Sequence, residues 1–192
     1  MRQILIHFTF LFVISACSSQ DKNIDFSEYD ILTTANELVQ YYDISLDTSG
    51  LFEMARIRKY IDGAYELKYE YDLMESETFL PLFYSIKIEK DVSEDDAKET
   101  FAMGKSVILK TNSAIGNNVE EIKGIVSEGN ESYYALRKNE EETTGLLLLI
   151  RKEKINYTMI MSGLYTSDHS LITDLVLPKL ANLENFQIEI YE

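Results

Sequence analysis

Ser167-Asp168-His169 places a hydroxyl, a carboxylate and an imidazole side by side, the three groups of a nucleophilic triad. The spacing argues against one. Sequence neighbours in the first turn of a helix point in different directions, whereas a triad needs them to converge. No Gly-x-Ser-x-Gly elbow presents a serine elsewhere. His169 therefore reads as a surface histidine near a helix start. Paired carboxylates offer acid–base hydrolysis, but 33 acidic residues make candidate pairs unavoidable. Glu66, Glu70 and Asp72 share one side of an alternating segment and read as a solvated face. Glu94-Asp95-Asp96 suits the start of a helix, and Glu140-Glu141-Glu142 suits a turn. No EF-hand loop, P-loop or Gly-x-Gly-x-x-Gly run occurs. A single cysteine cannot build a thiolate zinc site. The residues thus name no catalytic group, no metal site and no cofactor site.

The remaining reactive residue is Cys17, and its surroundings are specific. Arg2 gives the chain a basic start. Ile4 to Ile14 follows, apolar except for His7 and Thr9, and then come the small residues Ser15 and Ala16. This is the pattern of a secretory signal. The run is too short to cross a bilayer core, which needs about 20 residues as helix. Ile14-Ser15-Ala16-Cys17 resembles the lipobox of bacterial lipoproteins: an aliphatic residue, two small residues, then cysteine. The resemblance implies removal of residues 1–16 and a thioether-linked diacylglyceryl group on Cys17. It also implies acylation of the new amino terminus, typically with palmitate. Ser18 stands where the family's inner-membrane retention signal has aspartate, so the family rule favours the outer membrane over the inner.

The chain carries 18 basic and 33 acidic residues, net −15. Removing the leader takes away one base, Arg2, and no acid, which moves the balance to −16. Nucleic acid is excluded as a partner, because phosphate binding needs clustered Lys and Arg. An acidic surface suits solubility or a basic protein partner, whose association would weaken with salt. What remains after the leader is one domain in length, large enough to bury a core without disulfides.

Residues 17–29 read as a lipidated tether and 30–192 as a single domain. Thr34 and Glu37 form a capping-box pattern that opens a short helix. Leu51 to Tyr60 reads as a strand, with Asp62-Gly63 as a hairpin turn. Tyr65, Leu67, Tyr69, Tyr71 and Leu73 alternate with charges, as do Leu80, Leu82, Tyr84, Ile86 and Ile88 with their neighbours. Ser93 caps a helix running to about Lys110, with Ala97, Phe101, Gly104 and Ile108 on one stripe beside Met103 and Val107. Thr111 to Asn118 reads as a loop. Strands follow at Glu121–Val126, Ser132–Lys138, Gly145–Arg151 and Ile155–Met161. Leu146 to Ile150 is apolar on both faces, as in a strand covered on both sides. A helix capped by Ser167-Asp168 carries Leu171, Ile172, Leu175 and Val176. Pro178 should kink or stop it. A strand over Phe186–Tyr191 closes the chain.

The class is α+β: a single antiparallel sheet of about six to seven strands flanked by two or three helices, in two meander-plus-helix halves. This order is similar to the Mog1/PsbP-like fold group. That likeness is in topology only and carries over no functional residue. The 13 tyrosines, against nine phenylalanines and no tryptophan, are the residue in excess. Tyr65, Tyr69, Tyr71, Tyr133, Tyr134, Tyr157 and Tyr165 read as a core rim and as the first patch to inspect for binding. The expected function is a lipid-anchored, non-enzymatic binding or accessory module of the envelope, with a basic protein as its suggested partner. A carrier of a small apolar ligand or lipid is the alternative, followed by a carboxylate-dependent hydrolase.

Overall fold

The computed structural model describes residues 20–43, 51–72, 83–163 and 166–188. In the first half lie β1 (Gln20–Asn23), α1 (Ala35–Tyr41), β2 (Phe52–Lys59), β3 (Tyr65–Asp72), β4 (Phe83–Lys90) and α2 (Glu94–Ala114). In the second lie β5 (Asn118–Glu121), β6 (Glu131–Asn139), β7 (Glu142–Lys152) and β8 (Ile155–Ser162). A π-helical turn (Leu171–Val176) then runs into α3 (Leu177–Lys179). The strands form one sheet in the order β1-β2-β3-β4-β8-β7-β6-β5, each neighbouring pair antiparallel. Two four-stranded meanders therefore meet along the β4–β8 ladder, in the expected α+β class.

The alternation read from the sequence decides which face is which. Leu67, Tyr69, Tyr71, Tyr84, Ile86, Ile88, Tyr157 and Met159 all point to one face and are fully buried there. Ala35 and Leu38 of α1, with Leu171, Ile172 and Val176, close over them as one cluster. A second, smaller cluster lies on the opposite face. There Tyr133, Ala135, Leu147 and Leu149 pack against Phe101, Ile108 and Leu109 of α2. Leu146 and Leu148 serve the first cluster while Leu147 and Leu149 serve the second, so β7 is covered on both sides as its apolar run predicts.

Local signals set the helix starts. Thr34 Oγ1 accepts from the Glu37 amide, and the Glu37 carboxylate accepts from the Thr34 amide at 2.8 Å, the reciprocal capping box. Ser93 Oγ accepts from the Asp96 amide at 3.1 Å. Glu94, Asp95 and Asp96 occupy the first turn of α2. Gly63 turns the β2–β3 hairpin with φ +96°.

Several boundaries differ from the expectation. The stretch taken as a tether, residues 17–29, contains β1, which pairs through its backbone with β2 from Gln20 opposite Lys59 onward. Helix α2 continues through the expected loop to Ala114. Asn112 there is buried, donates to the Ile108 carbonyl at 2.8 Å and accepts from Arg137 Nε at 2.6 Å. That polar anchor uses one of the Asn, Gly and Ser residues whose abundance made the segment read as a loop. The strand expected at Glu121–Val126 begins earlier, at Asn118, and ends at Glu121. Pro178 falls where a kink or stop was expected: the last helix widens into a π-turn ahead of it and ends one residue beyond it, at Lys179. The Leu177 amide donates to the Ile172 carbonyl, five residues back. This wider turn lies just ahead of a residue with no amide to offer. Phe186 to Ile188 is not in a strand. The rest of that expected strand, with Leu73, Leu80, Pro81, Leu82 and Tyr165, lies outside the described residues.

Of the tyrosines expected at a core rim, Tyr69, Tyr71, Tyr133, Tyr134 and Tyr157 are buried in the core, and Tyr65 stays at its edge. Tyr69, Tyr71, Tyr84 and Tyr157 are wholly buried, so those rings offer no surface to a ligand. Their hydroxyls are not equivalent. Tyr69 Oη accepts from the Ala35 amide at 2.8 Å and donates to the Glu53 carboxylate. Tyr157 Oη has no hydrogen-bond partner among the described residues, and burial pushes its phenol well up. Removing a paired buried group strands its partners, whereas removing an unpaired one relieves desolvation. Tyr69→Phe is therefore expected to cost about 1–2 kcal/mol, and Tyr157→Phe to be neutral or stabilising by up to about 1 kcal/mol. Thermal melts of the two variants side by side check this. Equal losses would contradict it.

Candidate ligand groove

Polar groups fix where α2 sits. Asn156 Nδ2 donates to the Ala97 carbonyl at 2.9 Å and to Asp91 at 3.1 Å, and Thr100 donates to the other Asp91 oxygen at 3.1 Å. Burial raises the Asp91 carboxyl, and those two donors pull it back. Lys105 lies over the Tyr133 ring, 3.8 Å from its centre. All these attachments hold α2 above β6, β7 and β8. Among the described residues, no helix covers the same face of β2, β3 and β4.

What forms at that step is a groove of about 490 Å³, within the roughly 300–1,000 Å³ usual for ligand sites. Its floor carries four bases, Arg56, Arg58, Lys68 and Lys87, and two acids, Glu66 and Glu89. In a chain with nearly twice as many acids as bases, this floor has the reverse balance. The wall is apolar. Met103 and Val107 of α2 are 64% and 56% exposed, and Phe83, Ile108 and Ile160 complete it. Gly104 sits in the same wall, where a side-chain carbon would meet nothing within 4 Å.

Register places the floor charges in rows. Arg56 is opposite Lys68, and Lys68 is opposite Lys87. In the next row Arg58 is opposite Glu66, and Glu66 is opposite Glu89. Lys68 pairs with Glu70 at 2.5 Å and Lys87 with Glu89 at 2.9 Å. Tyr60 Oη donates to Glu66 at 3.3 Å. Burial raises the Glu89 carboxyl, with Lys87 acting against it. Arg56 has no ion-pair partner among the described residues, and its Nε is buried without a hydrogen-bond acceptor. The expected solvated face of Glu66, Glu70 and Asp72 is thus partly a groove floor, with Glu66 only 6% exposed.

The structure disposes of the triad. Asp168 accepts from the Ser170 amide at 2.9 Å and its hydroxyl at 2.7 Å, which lowers its pKa. His169 Nδ1 meets Tyr134 Oη at 2.9 Å. Ser167 is exposed, and the imidazole's side-chain partner is that phenol, whose pKa burial lifts to about 12. This is a helix start, not a nucleophile with its base. Among the described residues no group of three metal-ligating side chains occurs, and no helix is long and apolar enough to cross a membrane. Cys17 lies outside the described residues. The sequence reading missed the groove bases Arg56, Lys68 and Lys87. The hairpin turn at Asp62-Gly63 was the signal that could have aligned the first two.

Fold and groove together define an α+β protein whose described residues bury one sheet face under α1 and the last helix and leave a groove beside α2 on the other. Compared with protein-family models, curated proteins and solved structures, the chain matches none.

Proposed function

We propose that this chain is a lipid-anchored, non-enzymatic binding module of the bacterial cell envelope, held through Cys17 and on the outer rather than the inner membrane. The groove beside α2 carries the binding half of this reading. It combines an apolar wall with fixed charges. The lipobox-like Ile14-Ser15-Ala16-Cys17 supports the anchor. Metabolic labelling with an alkyne palmitate tests it: the native chain takes up label and Cys17→Ser does not. Label retained by Cys17→Ser, or missing from both, sinks the anchor. A basic protein partner would engage the exposed acids, such as Glu120, Glu121, Glu140 and Glu141, away from the groove. Capture from an envelope extract at low and high salt tests that contact.

One observation favours a second reading, a carboxylate-dependent hydrolase. Glu66 and Glu89 face each other across β3 and β4, and burial raises one of them. Both already accept from Tyr60 and Lys87 respectively, which fits a charge ladder better than an acid and a base awaiting substrate. Glycoside and ester substrates turned over by the native chain and not by Glu89→Gln would establish it.

A further inference from the structure

We propose that the groove binds a single-chain amphiphile bearing one negative charge, its head on Arg56 and its chain along Met103 and Val107. This rests on the binding-module reading and names the ligand class of that same site. Three observations converge on it. Like charges directly opposite on neighbouring strands repel, and Arg56, Lys68 and Lys87 form such a row. Glu70 and Glu89 neutralise two of them, which leaves Arg56, among the described residues, with no counter-charge and a buried, unpaired Nε. A guanidinium in that state matches a carboxylate in both charge and planar geometry.

The count of charge sets the head group. One unneutralised cation calls for a monoanion, and a dianion would meet Glu66 and Glu89 on the same floor. The wall sets the tail. Met103 and Val107 lie one helical turn apart and exposed, with Gly104 leaving open space beside them. Met is well suited to following a flexible chain. A peptide fits less well. Strands β2, β3 and β4 are paired on both sides, so their backbones have no ladder positions to give an added strand.

Residues 18–192 contain every strand, helix and core position described, so this stretch is the material for calorimetric titration. The probes are dodecanoate below its micelle concentration, dodecan-1-ol and dodecyltrimethylammonium. Dodecanoate is expected to bind, the alcohol about tenfold more weakly or worse, and the cation not at all. Arg56→Gln should lower dodecanoate affinity about tenfold or more and leave the alcohol unchanged. Gly104→Leu should abolish binding of both while keeping or raising the melting temperature, since leucine is the better helix former and its Cβ meets nothing within 4 Å. Equal binding of alcohol and carboxylate, or no effect of Arg56→Gln, overturns the head assignment. No binding by any probe overturns the amphiphile site. A salt-sensitive partner captured from the extract would then still support a binding module.

Discussion

Gly145→Ala is expected to lower stability by about 3 kcal/mol, near the upper range for an overpacked interior site. Gly145 has φ +152°, and a side-chain carbon there would overlap the Met161 carbonyl oxygen on β8. Neither neighbour can yield, because both are sheet backbone. The close approach has a cause. The β6–β7 register shifts between Arg137 and Lys138, and Arg137 lies opposite Gly145. Its guanidinium reaches across to the Met161 carbonyl at 3.3 Å and to Ser162 Oγ, while Nε holds Asn112 at 2.6 Å. The glycine gives that reach its room. Urea unfolding midpoints of the two proteins measure the effect, and an unchanged midpoint contradicts the account.

Lys179→Met is expected to cost about 2 kcal/mol, the scale of a charged hydrogen-bonding group removed from a partly buried site. Its ammonium donates to the Leu32 carbonyl at 2.8 Å, the Asp30 carbonyl at 3.1 Å and Glu37 Oε1 at 2.6 Å. One side chain from α3 thus fastens the segment leading into α1. Glu37→Gln should cost less, since both carbonyls still hold the ammonium. Hydrogen exchange separates this from a general loss: the amides of α1 should open first in Lys179→Met. Uniform acceleration across the sheet contradicts a local fastening role.

Much of this architecture was legible from periodicity and capping. Thr34 with Glu37 marked a helix start, and Tyr65 to Tyr71 marked a strand with one buried face. Leu146 to Ile150 marked a strand covered on both sides. Period reveals a face but not its depth, which is why Tyr69 and Tyr71 read as rim and proved fully buried. The tether reading missed β1 because its residues, Gln20 to Asn23, are polar, while the pairing with β2 is made by backbone. Asn112 hid the end of α2 because its burial depends on Arg137, a residue 25 positions away. The groove was harder still. Arg56 and Lys68 become neighbours through one hairpin, but Lys87 joins them only through the β3–β4 register, and the wall depends on where α2 settles.

The sheet's two margins carry a further consequence. An unpaired strand edge is a template for other chains, and a long apolar one invites assembly into fibres. Among the described residues the sheet ends on β1 and β5, each four residues long, reading Gln-Asp-Lys-Asn and Asn-Val-Glu-Glu. The segment with the greatest tendency to self-associate, Leu146 to Ile150, lies on β7, with β6 and β5 between it and one margin and five strands between it and the other. The short charged margins act as guards against edge-to-edge aggregation, and the residues ahead of the first helix protect solubility as well as completing the fold.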